Sequence, residues 1–119
     1  MVGFGGVVPF LHAANAADPA AIIRLGDDLK FTPAKVTVRV GDTVQWRNDS
    51  VLVHTVTDDP DLVANQVDYA LPEGARPFDS GGLEPAATYE HTFTRPGTYK
   101  YFCIPHEAAG MIAEVIVTK

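Results

Sequence analysis

A short run near the C-terminus, Cys103-Ile104-Pro105-His106-Glu107-Ala108-Ala109-Gly110-Met111, holds the only cysteine of the chain, one of its four histidines and one of its two methionines. Taken singly, each has an ordinary explanation: a lone Cys is usually a small buried hydrophobe, and a lone Met fills gaps in a core. The spacing changes the reading. If the run is a loop between two strands, a thiolate, an imidazole and a thioether can converge on one point. That soft set lacks only a second imidazole to give the His2Cys trigonal site with a weak axial Met that holds electron-transfer copper. Zinc fits poorly, because it prefers Cys, His or carboxylate to Met. A thiol nucleophile with His106 as its base also fits poorly, because such partners are normally far apart in sequence and Met111 would have no part.

Three other histidines could complete the set. His12 lies in an apolar N-terminal stretch and is a poor candidate. His91 lies mid-strand between Tyr89 and Phe93, where a packed, hydrogen-bonded imidazole is the simpler reading. His54 ends an apolar stretch just before the turn-rich Asp58-Asp59-Pro60-Asp61 cluster. Strand ends of a sandwich gather at its two poles, so His54 can meet the 103–111 loop there.

The elements that must position these residues are short strands. Alternation or β-branched runs predict strands over 21–25, 35–40, 43–47, 51–57, 88–94, 98–103 and 112–118. Three valines share one face in 35–40; Val44 and Trp46 share one in 43–47; Tyr89, His91 and Phe93 share one in 88–94. Gly41-Asp42, Asn48-Asp49-Ser50, Asp79-Ser80-Gly81-Gly82 and Arg95-Pro96-Gly97 punctuate them as turns. The stretch 62–76 is least strand-like, and a short helix is expected around 62–69. This pattern predicts an all-β sandwich or barrel.

Composition bounds what such a fold does. The chain has 119 residues, enough for one ordinary domain, with 46% hydrophobic and 20% charged residues. A formal charge of −6 argues against nucleic acid or an anionic membrane as partner. One cysteine excludes an intrachain disulfide. No apolar run approaches the ~20 residues of a transmembrane helix. Residues 1–16 contain no Lys, Arg, Asp or Glu and end in Ala14-Asn15-Ala16, the small-x-small form of a signal-peptidase site. They read as the remnant of an export signal or a flexible arm. The domain is then expected over 17–119, with a periplasmic or otherwise exported location.

The chain resembles the plastocyanin-like cupredoxins, small blue copper proteins. The likeness rests on Gly41-Asp42-Thr43-Val44-Gln45-Trp46, His54-Thr55-Val56, Phe78-Asp79-Ser80-Gly81 and the run from Gly97-Thr98-Tyr99-Lys100-Tyr101-Phe102-Cys103 through Met111. The resemblance implies an all-β, eight-stranded Greek-key β-sandwich with one copper ion near a pole. It implies His54, Cys103 and His106 as equatorial ligands, Met111 as axial ligand, and a one-electron carrier with no catalytic residues. A copper delivery or storage protein using the same ligands is the alternative. Around the ligands, Thr55 could donate to the Cys103 sulfur, Pro105 stiffens the loop by its fixed φ, and Gly110 permits the turn back to Met111. His106 would expose one imidazole edge as the electron port, rimmed by Pro105, Ala108 and Ala109. Asp58, Asp59 and Asp61 could form an acidic patch for redox partner proteins with a basic surface, the protein itself acting as a monomer.

Departures from the family pattern also matter. Thr55 stands where plastocyanins usually carry Asn. Phe102 stands where plant plastocyanins carry Tyr, which weakens any lateral electron entry through that residue. The 61–76 loop is longer and richer in Pro and Ala than the family leads one to expect.

Overall fold

The structure is a computed structural model that describes residues 18–119; the 1–16 segment and His12 lie outside the described residues. The expected strands form where alternation is cleanest. Among the described residues nine strands are present: β1 (Ala21–Leu25), β2 (Phe31–Thr32), β3 (Lys35–Arg39), β4 (Thr43–Asn48), β5 (Thr57–Asp58), β6 (Phe78–Asp79), β7 (Thr88–Thr92), β8 (Gly97–Phe102) and β9 (Ile112–Thr118). They make a four-stranded sheet ordered β2-β1-β4-β7 and a five-stranded sheet ordered β3-β9-β8-β5-β6. β1 with β4 and β3 with β9 pair in parallel, and the other neighbours are antiparallel. Parallel neighbours need crossovers rather than hairpins, so the chain passes repeatedly between the sheets.

Period-two alternation decides what enters the core. Ile23, Leu25, Val44 and Trp46 point inward from one sheet, and Tyr99, Tyr101, Val115 and Val117 from the other, all buried. Fully burying each large side chain contributes roughly 1.5–3 kcal/mol. Trp46 lies edge-on to Tyr101, with ring centroids 5.5 Å apart at 83°, and it ties the two layers together. Val36 and Val38 follow the expected inward face, but Val40 is exposed. β3 stops at Arg39, whose amide donates to the Asp42 carboxylate at 2.8 Å and turns the chain.

The expected strand over 51–57 is mostly not one. Only Thr57 and Asp58 pair as a strand, and His54 makes a single bridge to Leu83. Asn48 is the cause. Its buried side-chain amide donates to the Leu52 and Leu83 carbonyls at 2.7 and 2.9 Å, and its oxygen accepts from the Ser50 amide at 2.9 Å. That bends the chain outward and leaves Val51, Leu52 and Val53 exposed. The helix expected over 62–69 is one 3₁₀ turn, Gln66–Asp68, capped by the Asn65 side chain. It buries no residue, so no apolar face rewards a longer helix. Among the described residues, no helix is long and apolar enough to cross a membrane.

Candidate metal centre

β8 and β9 are adjacent antiparallel strands, and the segment joining them carries three of the four candidate ligands. Cys103 follows directly on β8, and Met111 directly precedes β9. Between them, Ile104–Ala109 winds as 3₁₀ turns with Pro105 in the first turn. The segment closes on itself through backbone bonds. The Cys103 amide donates to Met111 O at 3.1 Å, His106 N to Cys103 O at 3.1 Å, and Met111 N to His106 O at 3.2 Å. Gly110 turns the chain at φ 88°, ψ 19°, a left-handed conformation that glycine adopts without steric cost. Both strand ends are thus held at fixed spacing, and Cys103 and Met111 are completely buried.

His54 arrives from the other side of the pole. Its backbone exchanges two hydrogen bonds with Leu83, at 3.2 and 2.7 Å. Its ring Nε2 lies 3.1 Å from the Gly26 carbonyl. A carbonyl only accepts, so Nε2 carries the proton and Nδ1 presents a lone pair. Nδ1 faces the Cys103 sulfur at 3.6 Å, and His106 Nδ1 faces the same sulfur at 3.3 Å. One ligand atom from each of the three residues lies within 4.8 Å of the others. Burial, and then the neighbouring His106, lower the His54 pKa despite the Gly26 carbonyl and the acids Asp27 and Asp28. A neutral imidazole is the form that binds metal. Burial raises the Cys103 thiol pKa, opposed by hydrogen bonds from the Thr55 and His106 backbone. A metal cation would supply the missing compensation for the thiolate.

Thr55 supports the sulfur in two ways. Its amide donates to Cys103 Sγ at 3.4 Å. Its hydroxyl oxygen accepts from the Ile104 amide at 2.8 Å and lies 2.8 Å from the Thr57 hydroxyl. Thr57 in turn donates to Asp79 at 2.8 Å. Because the Thr57 proton is committed to Asp79, Thr55 is the donor in the Thr55–Thr57 bond. This chain locks the segment after His54 to the start of the ligand turn.

The other sequence-predicted residues divide. Pro105, Ala108 and Ala109 are exposed around a part-exposed His106. His91 stays away from the pole: it is half-buried and stacks on Phe78, with centroids 4.2 Å apart at 28°. Asp58 does not belong to a surface patch. It is fully buried on β5, both carboxylate oxygens lack a hydrogen-bond partner, and burial together with Asp59 pushes its pKa up to about 8. The turn-like acidic cluster hid this, because a two-residue strand carries no visible alternation. Asp59 is half-buried and Asp61 exposed. Two contributors were missed. The Gly26 carbonyl that orients His54 leaves no signature in side-chain chemistry. Glu107 is an acid inside an otherwise apolar ligand loop, and that contrast could have marked it.

The model of the family described as copper binding proteins, plastocyanin/azurin family, matches residues 20–118. Chloroplastic plastocyanin of Tetradesmus obliquus is 38% identical over 108 residues, covering 88% of this chain and 69% of that protein. Plastocyanin A/B of Petroselinum crispum is 37% identical over 103 residues, covering 82% and 99%. Among solved structures, the Cu(I) form of a single-site mutant of amicyanin superposes with a TM-score of 0.66 at 30% identity, covering 88% of each chain. With this donor set, His54, Cys103, His106 and Met111 form a site for one copper ion.

Proposed function

The chain belongs to the plastocyanin/azurin family of copper-binding proteins, and from that membership and the geometry of the centre we infer that it is a one-electron carrier between redox partners and not an enzyme. One observation carries the reading: two imidazole nitrogens and one thiol sulfur converge in a buried pocket from which only His106 reaches the surface. A bound copper ion supplies a one-electron couple, with sulfur favouring the reduced state and imidazole content with the oxidised one. The residues of the chain do the rest. The turn between β8 and β9 and the Leu83 bridge hold the donors in place, so little needs to move when the charge changes. Burial of Cys103, His54 and Met111 excludes water.

Electrons enter and leave at His106 in this reading. Its Nδ1 faces the sulfur, so the opposite ring edge faces outward. Exposed Ile104, Pro105, Ala108 and Ala109 rim it, and the segment leading into His54 exposes Val51, Leu52 and Val53. Phe102, next to Cys103, is fully buried, which disfavours a lateral route through that residue. Asp59 and Asp61 remain as the acidic part of a docking surface for a basic partner. The 17–119 domain acts as an exported monomer.

The test is to add Cu(II) to the purified protein and record visible absorption and reversible reduction. Intense thiolate-to-copper absorption, lost in Cys103→Ser, is expected. A colourless protein with a freely titratable thiol would refute the carrier reading. Rapid transfer of copper to an acceptor would favour delivery instead.

A further inference from the structure

The long 61–76 loop plays no part in the ligand set, yet it is fastened to it. Glu107 is only 7% exposed. Each of its carboxylate oxygens accepts a backbone N–H from a distant segment: Oε1 from Ala64 at 2.9 Å, Oε2 from Asn65 at 3.0 Å. Glu107 directly follows His106, and its carbonyl accepts from the Gly110 amide at 2.9 Å. One residue therefore joins the loop to the turn that positions both His106 and Met111. The far side of the loop is held to β8, where Ala70 and Lys100 exchange backbone bonds at 3.1 and 3.0 Å and Lys100 Nζ donates to Val67 O at 3.0 Å.

We propose that Glu107 is a positioning residue for the copper loop, clamping the 61–70 segment as a brace against the turn that carries His106 and Met111. Two charge-assisted bonds to one buried carboxylate are stronger than neutral ones and fix its orientation. Loss of either bond frees one of the two ties between the loop and the turn. The brace stiffens the part of the site that is otherwise held by its own turn and by the Thr55–Ile104 bond at its start, because His106 sits within the 3₁₀ turns of Ile104–Ala109 while Cys103 directly follows β8 and His54 is bridged to Leu83. The proposal rests on the carrier reading for its purpose, but its structural content stands on the copper-free protein.

The experiment uses the full chain with Glu107→Gln and Glu107→Ala. The Gln variant keeps one acceptor and the overall shape; the Ala variant removes both acceptors. In copper-free protein, hydrogen exchange at the Ala64 and Asn65 amides should quicken about tenfold or more in Glu107→Ala and less in Glu107→Gln, as expected when a bond to a charged group is lost. The Gly110 and Met111 amides should quicken with them, while core amides such as Tyr101 and Val115 hold their wild-type protection. After loading with Cu(II), copper release to a chelator should quicken several-fold in the same order, and the thiolate-to-copper absorption should change in shape. Unchanged exchange at residues 64 and 65 would overturn the clamp. Faster exchange there with unchanged residues 110 and 111, release and spectrum would overturn the positioning role. Wild-type protein lacking the absorption would overturn the carrier reading alone, since the exchange comparison needs no copper.

Discussion

Two regions bury polar groups completely, and they treat them in opposite ways. At the pole, the sulfur of Cys103 has an amide donor and two imidazole nitrogens within reach, and His54 has a carbonyl on its far nitrogen. Deeper in the sandwich, the Asp58 carboxylate, the Tyr101 hydroxyl and the Trp46 indole nitrogen have no hydrogen-bond partner. Register brings two of these together, Asp58 and Tyr101. Thr57 pairs with Phe102 in an antiparallel ladder, so Asp58 lies opposite Tyr101 and shares its inward face. Burial is therefore not the mark of function in this protein. Convergence is: the polar pole aims its atoms at one point, whereas the core simply encloses them. An unsatisfied buried group costs stability, and a convergent one is available for binding.

The sharpest way to break the contrast is Cys103→Ser. It should abolish the intense visible absorption altogether, because no other thiol exists; retention of the colour would mean the pole is not organised around this sulfur. Asp58→Leu should act in the reverse direction, raising stability by about 1–3 kcal/mol by removing an unpaired acid, as read from chemical denaturation. The pH dependence follows from its sign. The native carboxyl titrates at about 8 against an ordinary 3.8, so between those values the native state holds a proton that the unfolded state has lost. Stability contributed by this group falls as pH rises through that window and levels off above it. Thermal melts from pH 5 to 8 should show a decline in wild type that flattens in Asp58→Leu; parallel profiles would refute the buried-acid reading.

Thr55→Val tests the pole from its margin. It keeps the amide donor to the sulfur but strands the Ile104 amide and breaks the link to Thr57, and should cost about 1–2 kcal/mol. The absorption should persist with small changes, showing that the hydroxyl supports the ligand turn and does not build the site. The smallest effect is expected from Asp59→Asn with Asp61→Asn, which should slow electron transfer to a basic partner a few-fold at low salt and not at high salt. Salt-independent rates in wild type would remove these acids from docking.

Much of the site was legible because its donors are rare and its spacing is local. Cys103, His106 and Met111 sit on one turn, so chain order alone brings them close. The sheet pattern was legible wherever alternation ran for five residues or more, as in β1, β4, β7 and β9. It failed at 51–57, where Asn48 bends the backbone through side-chain bonds that no periodicity reveals. It also missed β2 and β6, which are two residues long.

Sequence by itself thus determined the donor chemistry, the turn that holds three donors and the all-β class, because all three depend on residue type and short spacing. Tertiary structure decided the rest. Packing against Gly26 set the tautomer of His54, the Thr57–Phe102 register drove Asp58 into the core, and two backbone amides from a remote loop reached Glu107. Each is a contact between segments more than twenty residues apart, and only the folded chain creates it.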